Sequence, residues 1–187
     1  EPGVGNFAVV ERRPLETRRL DSFDLPAPHY MKLDVQGAEL EVLEGAGAAL
    51  DALCVVECEV GFLPLYRGQP LFGDIQRWFA ERGFVLHKMI ELGSRAYRPV
   101  SLGGDPTRGA SQWLWADAVF VRDPRPVVDW PEGGRLKAAM VLHALYRSYD
   151  LALALLRIAD PDRAALYAAA LAGAGRVEPW LTNIRHG

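Results

Sequence analysis

The residues of this chain whose type and spacing could do chemistry are carboxylates at the ends of short apolar runs. In Tyr30-Met-Lys-Leu-Asp-Val-Gln-Gly-Ala-Glu39 a strand delivers Asp34 at its carboxyl end. A tight Gln36-Gly37 turn follows, then an amphipathic helix with Leu40, Leu43 and Leu50 in a stripe that reaches about Leu50. In an open α/β sheet, ligands sit in the crevice outside the carboxyl ends of the strands, so Asp34 stands where a catalytic or ligand-orienting carboxylate belongs. Gly37 permits a sharp turn or a close backbone approach to a ligand. Glu39 lies in the first helical turn, where the dipole favours negative charge, and orients the Gln36-Gly37 turn, reaches the site or caps the helix N-terminus. The same spacing also fits a solvated Asp34 with no role, or an Asp34 held by Lys32, which shares its face two residues earlier.

A second run, Val55-Val-Glu-Cys-Glu-Val60, reads as a buried strand. Glu57 and Glu59 fall on one face of it, ~7 Å apart. Two carboxylates near a strand end suit acid–base work or simply flank the crevice mouth; a hydrolase-like pair is conceivable at such separations. Asp21 ends a shorter run, Leu15–Leu20, and is a weaker candidate. Tyr66, Phe72, Trp113 and Trp115 could line an acceptor pocket, although aromatic side chains at such spacings usually build core. The four histidines and two cysteines show no metal-ligand spacing. Cys54 and Cys58 would share one strand face ~13 Å apart, too far for a disulfide, and read as buried free thiols of a reducing cytoplasm.

Three segments together resemble a known family. Lys32-Leu-Asp-Val-Gln-Gly-Ala-Glu39 with Val42-Leu-Glu-Gly-Ala46 is similar to the signature of FkbM-type S-adenosylmethionine-dependent methyltransferases. Thr17-Arg-Arg-Leu-Asp-Ser-Phe23 precedes it, and Val55–Val60 with Pro64-Leu-Tyr66 and Gln69-Pro-Leu-Phe72 follows, in the order that pattern needs. The likeness spans roughly residues 5–122. It implies a Rossmann-like class I methyltransferase sheet and S-adenosyl-L-methionine as cofactor. It also implies O-methylation of a small-molecule or sugar-containing acceptor. On this resemblance Asp34 and Glu59 are the expected catalytic carboxylates. Asp21, Asp34, Val35, Gln36 and Gly37 are the expected cofactor-side residues, and no metal is implied.

Composition bounds the remaining readings. The chain has 187 residues, half hydrophobic and 24% charged, with net charge −3. That suits one globular domain with a good core and gives no reason to expect nucleic acid as a partner. No apolar stretch approaches the ~20 residues of a membrane span, and no signal peptide is evident, so a cytoplasmic protein is expected.

The order of elements reads as β–α–β followed by helices. A short strand is expected at Phe7–Val10, another at Leu15–Leu20, then the motif strand and helix. Leu53–Val60 is the next strand, and Phe72, Ile75, Trp78 and Phe79 mark a helix capped at Gly83. Phe84–Ile90 and Ala116–Arg122 are strands separated by a long polar loop, Gly93–Ser111. Helices between strands predict a mainly parallel sheet with, at most, an antiparallel edge. Residues 1–126 form the Rossmann-like part and 127–187 a helical tail or hairpin. In the tail, Leu136, Met140, Leu145 and Tyr149 make the apolar face, and Asp160-Pro161 opens the last helix. That tail is expected to pack back on the sheet, or failing that to join two copies of the chain.

One part of the implied enzyme has no counterpart. A first strand, a glycine-containing loop and a second strand ending in an acid are needed for the cofactor, and each βαβ unit takes ~30 residues. Gly3-Val-Gly5 is a weak match, with no strand before it. The sheet is therefore expected to be incomplete at its N-terminal side, as the C-terminal part of a longer protein would be. The competing function is a non-catalytic binding or scaffold module that keeps the fold without the cofactor half. A carboxylate-based hydrolase is the third.

Overall fold

A computed structural model describes residues 11–97, 99–105, 108, 109, 111–125 and 128–175. The expected strand at Phe7–Val10, the Gly3-Val-Gly5 sequence and the 126/127 boundary lie outside these residues. Strands are β1 (Tyr30–Leu33), β2 (Val55–Gly61), β3 (Phe84–Arg95) and β4 (Gln112–Arg122). Helices are α1 (Glu39–Glu44), α2 (Phe72–Ala80), α3 (Gly134–Ala144), α4 (Tyr149–Ala159) and α5 (Pro161–Gly173).

The four strands make one mixed sheet in the order β1-β2-β4-β3. Only β1 and β2 are parallel; β4 runs antiparallel to both of its neighbours. The antiparallel strand thus sits inside the sheet, where an edge position was expected. The cause is the missing crossover: among the described residues no helix separates β3 from β4, so the chain returns directly beside its own path. The carboxyl ends of β1, β2 and β3 and the start of β4 consequently share one rim of the sheet.

Both long strands extend further than the sequence indicates. β3 continues through Gly93 to Arg95, and β4 begins at Gln112, so Trp113 and Trp115 are strand residues. Gly93 is required there: a Cβ would lie 2.0 Å from the Trp115 ring. The glycine that reads as a loop signal is thus the space that the indole fills. The Leu15–Leu20 run forms no strand; residues 15–19 are irregular and exposed, and a 3₁₀ turn follows at Leu20–Ser22. Among the described residues no strand lies beside it to pair with, and a lone strand is not stable in water. α1 is also shorter than its stripe suggests, ending at Gly45, with a 3₁₀ turn at Gly47–Leu50 in place of its last turns.

Two cores sandwich the sheet. On one face Leu33, Val56, Cys58, Val60, Ala118 and Phe120 pack against Leu43 of α1 and Ile75, Trp78 and Phe79 of α2. Phe79 stacks on Phe120 with centroids 4.3 Å apart. On the other face Val55, Val119 and Val121 pack against Ala138, Ala139 and Leu142 of α3 and against α4 and α5. Each large side chain so buried contributes about 1.5–3 kcal/mol. Among its described residues the helical region has three helices, and its α3 stripe is Ala138, Ala139 and Leu142, with Met140 and Leu145 exposed. Small alanines at these buried positions let α3 and α4 approach closely. The last helix starts as its sequence indicates, the Asp160 carboxylate accepting from the Arg163 N–H at 3.0 Å ahead of Pro161.

Cys54 and Cys58 are buried free thiols, but they do not share a face: Cys54 precedes β2 and enters the α3 side, Cys58 the α2 side. Burial pushes the Cys54 thiol up to about 11, which keeps it protonated and unreactive.

Candidate active site

The strand-end motif folds as a clamp. β1 ends at Leu33, and Asp34, Val35 and Gln36 turn the chain over the rim. Gln36 adopts φ +56°, a left-handed conformation uncommon for a side-chain-bearing residue, and Gly37 follows at φ +100°. Glu39 is buried and stabilises this turn: its carboxylate accepts from the Val35 N–H at 3.0 Å and from the Gly37 N–H at 3.1 Å. Of its expected roles, Glu39 therefore fills that of orienting the turn, and α1 has no side-chain cap bond.

The turn carries the Gln36 side chain between two carboxylates. Its amide nitrogen donates to Asp34 Oδ1 at 2.7 Å and to Glu59 Oε2 at 3.0 Å. Its amide oxygen accepts from the Tyr66 hydroxyl at 2.6 Å. Both amide hydrogens are thus spent on holding two negative groups together. The Tyr66 ring lies against Gly37, where a Cβ would come within 2.9 Å of it. The freedom of Gly37 serves that ring contact as well as the turn. Gln69 fixes the Tyr66 loop by accepting from the Leu65 and Tyr66 N–H groups at 2.8 and 3.2 Å. Gly37→Ala combines a backbone penalty with a ring clash, so it should lower stability by about 1–2 kcal/mol in a chemical denaturation curve. It should also displace Tyr66, seen as a changed tyrosine signal in near-UV circular dichroism.

Glu59 is the electrostatically distinctive member. Burial, the Asp34 carboxylate beside it, and the charges of Glu39 and Asp117 push its carboxyl up to about 7. An acid poised near neutral pH is suited to accept a proton and to return it.

Beneath this rim a second layer of charge runs across the same face. Lys32 bonds Glu57, its partner in the β1–β2 ladder, and Asp117 Oδ2 of β4 at 2.9 Å. The expected Lys32–Asp34 pair does not form. The ladder places Glu57 at Lys32's own level, Asp117 comes within reach from β4, and the chain turns away at Asp34. Burial pushes Glu57 up, but the Lys32 and Tyr146 hydrogen bonds outweigh it and hold the group below the usual carboxylate range. Burial raises Asp117 against the pull of Lys32.

The other candidates are dispersed. Asp21 pairs with Arg19 at 2.7 Å and packs on Gly47, beyond the far end of α1 from Asp34. His29 lies at the opposite end of β1, on the Ala52 carbonyl at 2.9 Å. Around the rim Leu63, Leu65, Tyr66 and Trp113 are exposed, and Trp113 tilts against Phe62 at 5.8 Å. The cluster therefore has an acidic floor and an apolar, aromatic border. Cavities of about 600 and 580 Å³ lie elsewhere, one lined by Trp78, Arg82 and Trp130, the other by Phe23, Leu25 and Met31 along β1. Among the described residues no group of His, Cys, Asp and Glu is arranged to hold a metal ion. No helix there is long and apolar enough to cross a membrane.

Comparison with known proteins bears directly on this clamp. Residues 5–86 match the methyltransferase FkbM domain. The matched FkbM segment contains β1, α1, β2 and α2 and so includes Asp34, Gln36, Glu59 and Tyr66. Asp117 and Tyr146 lie beyond it. No curated protein and no solved structure matches the chain.

Asp117 and Tyr146 are the site's neighbours that sequence reasoning misses. Asp117 interrupts the apolar run Ala116–Val121, and a charge inside a buried strand is the signal that could have found it.

Proposed function

We propose that the chain acts in S-adenosylmethionine-dependent methyl transfer, with an acceptor hydroxyl of a small or sugar-containing molecule as substrate. The observation that carries this reading is the Asp34–Gln36–Glu59 clamp at the carboxyl ends of two parallel strands, inside a segment matching a methyltransferase domain. The Rossmann-like architecture, the Asp34 and Glu59 roles and the cofactor belong to the same proposal.

The residues present suit the cofactor's charge: a sulfonium is cationic, and the rim offers the exposed carboxylate of Asp34 beside the half-buried one of Glu59. When bound, that group supplies an electrophilic methyl carbon and a neutral thioether leaving group. Asp34, with the Val35–Gly37 backbone, would form the wall beside it. Glu59 would take the proton of the acceptor's hydroxyl, leaving its oxygen free to act as the nucleophile. Asp34 orients that hydroxyl, and Gln36 keeps the two carboxylates at fixed spacing, so the acceptor meets them in one geometry. Tyr66 and Trp113 give it a face to stack on.

The test uses the native polypeptide that contains these 187 residues. It is incubated with methyl-labelled S-adenosylmethionine and a panel of small alcohols and sugars. Calorimetry with S-adenosylhomocysteine runs beside it. Label transferred to a hydroxyl, and lost in Asp34→Ala, is the expected result. No transfer together with no calorimetric binding would overturn the reading in favour of a scaffold.

A further inference from the structure

The loop between α3 and α4 reaches under the sheet and delivers Tyr146 into the charge layer below the rim. Tyr146 is buried, and its hydroxyl donates to Glu57 Oε2 at 2.6 Å. It lies 3.2 Å from the Tyr30 hydroxyl of β1. The loop is pinned on both sides of that ring. Lys88 of β3 donates to the Tyr146 carbonyl at 2.7 Å, and His87 meets the Ser148 hydroxyl at 2.7 Å. Between them Arg147 takes φ +51°, a strained conformation held by these contacts. A hydroxyl fixed by so many local constraints has little freedom to leave Glu57.

What Glu57 does next reaches the rim. It shares Lys32 with Asp117, and Asp117 stands directly opposite Glu59 in the β2–β4 ladder. From Tyr146 to Glu59 the contacts form one chain through Glu57, Lys32 and Asp117, the last step being charge on charge. We propose that Tyr146 is a positioning residue of the candidate site: from the helices beyond the matched FkbM segment it fixes Glu57, and through Lys32 it sets the charge of Asp117 facing Glu59. The proposal rests on the methyltransferase reading for its catalytic meaning, but its coupling is measurable without it.

The sign follows from the sharing of Lys32. With the Tyr146 hydroxyl removed, Glu57 keeps the longer Tyr30 hydroxyl contact at 3.5 Å as its neutral donor and draws Lys32 towards itself. Asp117 then carries more uncompensated negative charge against Glu59. The other groups that face Glu59 are Asp34 and the Gln36 amide from the turn after β1 and Glu39 from α1, and none of them touches Tyr146. The titration midpoint of Glu59 should therefore rise in Tyr146→Phe.

The experiment is carboxyl-carbon NMR titration of the full chain, wild type against Tyr146→Phe. Tyr167→Phe serves as control, because it removes a hydroxyl from the same helical region that meets His143 at 2.9 Å instead. The expected result is an upward move of the Glu59 midpoint by half a pH unit or more in Tyr146→Phe only. In the transfer assay the same variant should lose about fivefold in kcat with KM unchanged. An unmoved midpoint, an equal move in Tyr167→Phe, or a moved midpoint with unchanged kcat would each overturn the positioning role. Should neither variant nor wild type transfer methyl while the midpoint moves, the catalytic reading fails and the coupling stands.

Discussion

Glu59→Gln is expected to lower methyl transfer by ~10²–10⁴-fold, the range a positioned general base contributes, while the chain stays folded. The substitution keeps the shape and one acceptor oxygen for the Gln36 amide, so the clamp survives and the proton acceptor does not. The rate of wild type should rise with pH through a midpoint near 7, where the Glu59 carboxyl loses its proton. That limb should vanish in the variant. Stability should move the other way. A carboxyl held above its unfolded value, here about 7 against ~4.3 unfolded, binds its proton more tightly in the folded chain. Wild type then loses stability as pH rises from ~4.3 through that midpoint, and Glu59→Gln does not. Solvent at the rim screens this, leaving about 1–2 kcal/mol of advantage for the variant at pH 8. Loss of activity with gain of alkaline stability is the joint signature of a group kept against the interest of the fold. Chemical denaturation at pH 5 and 8, beside the transfer assay, checks both. Full transfer in Glu59→Gln would remove Glu59 from the mechanism, and Asp34→Ala would then decide whether the neighbouring carboxylate takes its place.

The strand-end carboxylate, the turn after it and the Glu39 that holds that turn are legible in sequence because all three are local. Asp34, Gln36, Gly37 and Glu39 lie within six residues, and strand parity puts Glu57 and Glu59 on one face. What makes them a site is not local. The register that sets Glu57 opposite Lys32, and Asp117 opposite Glu59, comes from strands far apart in the chain. No spacing rule encodes that pairing. The same holds for the fold: Gly93 reads as a breaker because its partner, the Trp115 ring, comes from another strand. Met140 and Leu145 outrank alanine on any hydropathy scale, yet Ala138 and Ala139 are the buried pair, on a helix packed closely against α4. Asp21 shows the limit of analogy between strand ends, since an acid after a short apolar run implies a rim only if the run pairs.

Lys32→Met tests the layer under the site. Lys32 is half exposed at the edge of β1, but the two carboxylates it serves are nearly buried, with side chains 10% and 11% exposed. Removing one partner of such a set leaves the others charged without compensation, at ~3–5 kcal/mol for a fully buried case. Water reaching Lys32 reduces this to about 2–3 kcal/mol at pH 8. The pH dependence carries the diagnosis. In wild type Lys32 is held above its ordinary value, so its contribution is complete below the unfolded lysine range and fades only in strong alkali. Glu57 is held below its ordinary value, so its own contribution exists above ~4.3 and is lost as pH falls through the folded midpoint. The pair therefore stabilises between roughly pH 5 and 10. Without Lys32, Glu57 joins Asp117 in the raised range, and both bind protons more tightly folded than unfolded. The variant should then lose stability steadily from pH 4.5 to 8, with under ~1 kcal/mol separating it from wild type at the acid end, where protonation has removed the uncompensated charge. A loss equal at both pH values would mean that Lys32 acts through its alkyl stem packing on β1 rather than through charge.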